Sequence, residues 1–160
     1  MDFNIDEIFE IAEKIERNGA RFYRKAAKNV KEFEQKRLFL ELAEMEDNHE
    51  KTFTIMRSRI RQNASPEVFD PNHEAAIFLQ AFADGFVFDL NEDPVDLLKG
   101  RESATDILHL AIGLEKDSIV FYLGIEKIML IDENSGHVRS IIKEEMNHIS
   151  LLSQKLTDLI

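Results

Sequence analysis

The sequence has no cysteine. The chain therefore cannot close a disulfide, hold an iron–sulfur cluster or build a four-cysteine rubredoxin-type iron centre. Basic residues are outnumbered, 20 Lys and Arg against 31 Asp and Glu, leaving a formal charge of −11. That balance argues against nucleic acid or an anionic membrane as partner, and part of it would be offset by bound cations. No run reaches the ~20 apolar residues of a spanning helix. The start, Met-Asp-Phe-Asn-Ile-Asp-Glu, has neither a basic segment nor an apolar core, so the expected location is the cytoplasm. A length of 160 residues suits one domain over 1–160, burying roughly 70% of its unfolded surface.

What the chain does have is Glu-Asp-Asn-His at 46–49 and its near-copy Glu-Met-Asn-His at 145–148. Three residues apart on a helix, Glu and His point the same way. A carboxylate oxygen beside an imidazole nitrogen is a donor pair that first-row transition metals accept. Thirty residues before each Glu lies another, Glu16 or Glu115, and seven residues beyond those lies Tyr23 or Tyr122. Ala-Glu-Lys-Ile-Glu-Arg-Asn-Gly-Ala-Arg-Phe-Tyr (12–23) runs in step with Ala-Ile-Gly-Leu-Glu-Lys-Asp-Ser-Ile-Val-Phe-Tyr (111–122). An offset of 99 residues then holds without a gap through Glu46/Glu145, Asn48/Asn147 and His49/His148. This is a repeated helical hairpin. Two copies can close into one four-helix bundle, each giving a Glu and a Glu-x-x-His at a shared level, as in di-iron carboxylate bundles.

The expected architecture is all-α: a ferritin-like four-helix bundle of two pseudo-symmetric hairpins. The first helix is expected from Asn4, with Glu7 completing a capping box, and with Ile5, Ile8, Ala12, Ile15, Gly19, Phe22 and Ala26 on its stripe. Phe9, Glu16 and Tyr23 form the adjoining inward column, and Gly19 leaves room above Glu16. After a turn near 29–32, a second helix to about Arg61 turns Leu38, Leu42, Met45, Glu46, His49, Phe53, Met56 and Ile60 inward. The third should be capped by Ser103 and Asp106, with Leu108, Ala111, Glu115, Ile119, Tyr122 and Met129 inside. The fourth should follow a turn at 132–136, with Val138, Ile141, Ile142, Glu145, His148, Ile149, Leu152 and Leu156 inside. Residues 62–103 are too long for an ordinary bundle connection. They read as a crossover returning along the bundle, with a short helix opened by Asp70-Pro71 (Ala75, Ala76, Phe78, Leu79, Phe82, Phe86) and a turn at Asp93-Pro94 that stops at Gly100.

Four glutamates on apolar seams cost several kcal/mol each if ionised and unpaired. Lys14, Arg17, Lys116 and Lys143 lie mostly off the inner face, whereas two divalent ions match the four negative charges. The candidate metal ligands are thus Glu16, Glu46, His49, Glu115, Glu145 and His148, around two iron, manganese or zinc ions. Tyr23 and Tyr122 are either hydrogen-bond donors to this set or core aromatics. Glu44 and Glu144 fall off the inward column and are expected to matter little. His73, His109 and His137 lie outside the repeat and read as surface or packing residues.

With Ile-Glu-Arg-Asn-Gly-Ala-Arg-Phe-Tyr (15–23), Glu-Lys-Asp-Ser-Ile (115–119) and the two Glu-x-x-His pairs, the chain resembles the rubrerythrin branch of the ferritin-like superfamily. In that family the residues matching Glu16, Glu46, Glu115 and Glu145 are terminal or bridging ligands, and those matching His49 and His148 each cap one iron. The resemblance implies a di-iron oxidoreductase that reduces hydrogen peroxide or O2 in oxidative-stress protection. It would draw electrons from an external donor such as a rubredoxin, and a homodimer is expected. Two departures stand out: no rubredoxin domain is present, and Ser118 replaces a second third-helix glutamate. The alternatives are an iron oxidation and storage protein of bacterioferritin type, which shares the six ligands, and a metal-binding module without turnover. Against bacterioferritin, the haem-ligating Met that follows its second-helix Glu is Asp47 here. Met146, after Glu145, reads as a packing residue.

Overall fold

The computed structural model describes residues 4–62, 70–85, 89, 91–129 and 133–160. Among the described residues the elements are helices: α1 (Ile5–Asn29), α2 (Phe33–Gln62), α3 (Glu74–Ala83), a 3-10 turn (Pro94–Leu97), α4 (Ala104–Ile128) and α5 (Glu133–Asp158). Local chemistry sets most ends. Asn4 caps α1, its side chain accepting from the Asp6 N–H, without the reciprocal Glu7 bond expected of a capping box. Ser103 and Asp106 do form a full box at the start of α4. The Asp70 carboxylate accepts from the Ala75 and Ala76 N–H groups, satisfying donors that the first turn of α3 would otherwise leave unpaired. The fourth bundle helix, α5, begins at Glu133, so Asn134 to Gly136 extend the helix rather than the turn expected at 132–136. Residues 131 and 132 lie outside the described residues, as do Phe86 and much of the proposed crossover.

The core falls into two apolar clusters with the Glu/His residues between them. One holds Ile8, Phe9 and Ala12 of α1, Phe53 and Met56 of α2, Phe121, Tyr122 and Ile125 of α4, and Val138 and Ile141 of α5. The other holds Phe22, Tyr23 and Ala26, then Phe39 and Leu42, then Leu108 and Ala111, then Leu152. On every long helix the ligand candidates fall between the two sets. Following the chain, α1 and α5 run from the first cluster to the second, while α2 and α4 run from the second to the first. α2 and α4 therefore point the same way. Part of the segment between them lies outside the described residues. Within it, α3 buries Ala75, Leu79 and Phe82. A Cβ on Gly124 of α4 would come within 2.7 Å of Leu79 and Phe78 side-chain atoms, so the missing side chain is what lets α3 lie close.

Some inward residues differ from the stripe read in the sequence. Phe39 rather than Leu38 is fully buried in α2, stacking on Tyr23 at 6.1 Å. In α4, Ser118, Phe121 and Ile125 are buried and Ile119 only half so. Arg57, with a side chain 11% exposed, clasps α2 to α1 through Asp6, Glu10 and Glu13. Arg61 adds a second pair to Asp6.

The guanidiniums of Arg57 and Arg61 hold the Asp6 carboxyl well below the usual carboxylate range. A depressed folded-state pKa adds stability above the unfolded value, and that stability is lost as pH falls through the folded one. Asp6→Asn should therefore destabilise the protein at pH 7 by about 1 kcal/mol, roughly 2–4 °C in Tm. The difference should shrink below about pH 4. Calorimetry across pH checks this, and a pH-independent difference would count against the ion-pair account.

Candidate metal centre

The bundle brings all six ligand candidates into one buried layer. Glu16, Glu145 and His148 are 0% exposed, and Glu46, His49 and Glu115 are 3% exposed. They divide into two overlapping sets, Glu16, Glu46, His49 and Glu145, and Glu46, Glu115, Glu145 and His148. In each set, one donor atom per residue lies within 4.8 Å of the others. Glu46 and Glu145 belong to both. Each hairpin's first glutamate and histidine, Glu16 with His49 and Glu115 with His148, stand at opposite poles.

The donors converge on common points more than they pair with each other. His49 Nδ1 lies 3.4 Å from Glu16 and 3.3 Å from Glu145. His148 Nδ1 lies 3.2 Å from Glu46, 3.4 Å from Glu115 and 2.8 Å from Glu145. Even so, Glu16 Oε2, Glu46 Oε1, both Glu145 oxygens, His49 Nδ1 and both His148 nitrogens lack a hydrogen-bond partner. The contacts are close but misdirected. Buried and unsatisfied, each such atom costs about 1–3 kcal/mol. A carboxylate-rich set with two imidazoles fits iron, manganese or zinc, and cations between the donors would satisfy all of these atoms except His148 Nε2, which lies on the other side of its ring from the carboxylates. Among the described residues, no Lys or Arg ion-pairs with the layer. Arg17, for example, pairs outward with Glu50.

Surrounding residues hold this layer in place. Tyr23 of α1 donates to Glu115 of α4, and Tyr122 of α4 donates to Glu16 of α1. Each tyrosine lies seven residues past its own helix's glutamate, so both bonds form only because α1 and α4 are antiparallel. Both are therefore hydrogen-bond donors as well as core aromatics. Burial, reinforced by the adjacent carboxylates, raises both phenols well above their usual value, so they keep their protons. Gly19 gives the Glu46 carboxylate its room: a Cβ there would sit 2.8 Å from Glu46 Oε2 and push it aside.

One expectation needs correction. Glu144 is not inward, but its carboxylate reaches across to His49 Nε2 at 2.8 Å. That contact leaves Nδ1 facing the cluster, the usual way a carboxylate fixes a metal-binding imidazole. The repeat partner of Glu144 is Met45, and the corresponding His148 Nε2 has no partner. The two halves thus differ at one position. A signal for this was present, since Glu144 immediately precedes a ligand candidate, but its target lies on another helix. His73 and His109 are exposed and His137 half-buried. Met146, expected to pack, is 57% exposed.

A cleft of about 220 Å3 opens onto Glu46 and Glu115 between α1, α4 and the turn at Pro94–Leu97. Ser118 and Gly19, equivalent positions of the repeat, both line it. Ser118 Oγ donates to its own helix at Leu114 O, 3.1 Å away.

Without metal, burial and then the charge of Glu16 hold the Glu46 and Glu145 carboxyls up, Glu145 to about 8. Burial opposes the charged imidazoles, yet the carboxylates around them push His49 and His148 up to about 12. Raised folded-state values mean the folded protein holds protons that the unfolded chain releases, so stability falls as pH rises. The metal-free protein should lose Tm steadily from pH 6 to pH 9, and the metal-loaded protein much less; scanning calorimetry of both forms distinguishes them. Glu144→Ala should weaken one of two metal-binding steps roughly 10- to 100-fold, while Glu44→Ala, at an exposed position, should have no such effect. Competitive chelator titration reads both, and equal affinities in the two variants would remove the role given to Glu144.

Comparison with known proteins agrees with this geometry. No curated protein matches the chain. Among solved structures, the fold is similar to that of a protein from Thermotoga maritima assigned to the ferritin-like diiron-carboxylate class. The TM-score is 0.70 and the identity 23%, over 97% of this chain and 95% of the other. The sequence model of the rubrerythrin family matches residues 2–84, covering the first hairpin and α3. The chain therefore belongs to the rubrerythrin family.

Proposed function

We propose that Glu16, Glu46, His49, Glu115, Glu145 and His148 hold two iron ions, and that the protein is a di-iron oxidoreductase reducing hydrogen peroxide or O2. The observation carrying this reading is the pair of buried donor sets that share Glu46 and Glu145. Manganese or zinc would suit the same donors, but only redox-active ions suit the reaction. Bound and reduced, two iron ions would supply the two electrons needed to reduce an O–O bond. The electrons are restored by an external donor protein such as a rubredoxin, because this cysteine-free sequence cannot build that centre. In this reading the protein acts as a cytoplasmic homodimer against oxidative stress.

The chain's own groups have separate tasks. Glu46 and Glu145, common to both donor sets, would serve both ions, while Glu16 and His49, and Glu115 and His148, would serve one each. Tyr23 and Tyr122 fix the two terminal carboxylates and keep a proton one hydrogen bond from each. The apolar clusters on either side exclude bulk water, which strengthens every interaction in the layer. The cleft at Glu46 and Glu115 is the approach for the oxidant.

Ser118 sets the rate in this reading. A hydroxyl bonded to its own helix is a poor ligand beside a carboxylate, so nothing on α4 one turn past Glu115 can add to the set. Stopped-flow oxidation of the reduced, iron-loaded protein by hydrogen peroxide should be slow but stoichiometric. Ser118→Glu, restoring the family's second glutamate, should speed it. No oxidation of the wild type would contradict the proposed function. Equal rates, with the new carboxylate seen on the metal, would show that the missing glutamate is not limiting.

A further inference from the structure

The cleft is much larger than the oxidants so far considered require. It encloses about 220 Å3, whereas a water molecule takes roughly 30 Å3 of liquid and hydrogen peroxide little more. Its polar groups are unevenly placed. The buried end carries Glu46 and Glu115, with Tyr23 bonded to the latter, and Glu46 Oε2 lies beside Gly19 of the cleft wall. The sides are Ile15 of α1, Leu114 of α4 and Leu97 of the turn. Gly19 and Ser118 leave the space open from both helices. At the solvent end, Asp89, Glu92, Asp93 and Asp117 face a single lysine, Lys14, and Asp93 is already tied to Arg21.

We propose that this cleft binds an organic hydroperoxide, a neutral molecule whose alkyl or aryl body lies against Ile15, Leu97 and Leu114 with its O–O group beside Glu46 and Glu115. Apolar walls with a few convergent polar groups at one end are what a small organic ligand requires. The acidic rim disfavours carboxylates and other anions, which selects a neutral substrate. The reaction balances as ROOH plus two electrons and two protons giving ROH and water. The O–O bond breaks, each oxygen leaves protonated, and the electrons come from the one-electron donor protein of the reading above. The inference rests on that reading for its chemistry and on the cleft for its substrate.

The test separates the two. Zinc-loaded protein, which has no redox chemistry, is titrated with 2-phenylpropan-2-ol, the alcohol formed from cumene hydroperoxide, while the methyl signals of Ile15, Leu97 and Leu114 are followed by NMR. Saturable binding is expected, weakened roughly tenfold or more by Leu97→Trp and by Ser118→Leu, which fill the cleft from different sides. Leu97 is 43% exposed in its turn, so its variant should fold even if the Ser118 variant does not. In parallel, reduced iron-loaded protein is mixed with cumene hydroperoxide and with hydrogen peroxide. The ratio of the two rates should fall about tenfold in the same variants. Hydrogen peroxide reacting while the alcohol fails to bind would overturn the cleft proposal and leave the function standing. Binding that the variants do not weaken would overturn it too. Binding with no oxidation by either peroxide would overturn the hydroperoxide assignment together with the proposed function.

Discussion

Four carboxylates inside an apolar bundle are the constraint on which the rest of this structure depends. Left ionised and uncompensated they would cost several kcal/mol apiece, more than a domain's marginal stability can absorb. No lysine or arginine reaches them among the described residues. Two tyrosine hydroxyls and two imidazoles soften the layer, yet seven of its nitrogen and oxygen atoms still lack a directed partner. A layer of this kind is stable either by taking up protons, at the expense of pH-sensitive stability, or by holding cations. The fold is arranged for the second outcome. Small residues such as Gly19 make room for the carboxylates, and the apolar clusters above and below keep out water that would otherwise screen them.

The internal repeat explains how one chain builds such a layer. Each hairpin supplies Glu, Phe-Tyr and Glu-x-x-His. Because the two copies face each other with α1 and α4 antiparallel, the tyrosine of one copy reaches the first glutamate of the other. Neither hairpin is sufficient alone, since the tyrosine bonds and the sharing of Glu46 and Glu145 all cross between copies. The departures from symmetry are correspondingly informative. Glu144 against Met45 gives His49 an orienting carboxylate that His148 lacks, so the two donor sets are inequivalent. Gly19 against Ser118 leaves both walls of the cleft without a large side chain.

Much of this was legible in the sequence because it rests on spacing. A gap-free offset through six ligand candidates and two tyrosines is a statement about helix faces, and Ser103–Asp106 is a local cap readable from neighbouring residues. Contacts between helices were not legible in the same way. Glu144 lies on the flank of α5 and gains its role only because His49 stands opposite. Arg57 looks like any surface arginine until α1 brings Asp6, Glu10 and Glu13 against it. Phe39 lies fully inside and stacks on Tyr23, while Leu38 packs on the edge of the same cluster, a division that depends on the neighbouring helix. The start of α5 was misplaced because Asn-Ser-Gly is a turn signal in isolation, and the helix runs through it nonetheless.

The central claim is that the buried layer is a two-metal site, and anaerobic titration of metal-free protein with ferrous ion tests it most directly. The account predicts two binding events ending at about two irons per chain, with the two steps differing in affinity because His49 alone has a carboxylate on its outer nitrogen. A titration that saturates at one iron, or that shows no saturable binding while the bundle stays folded, would contradict it.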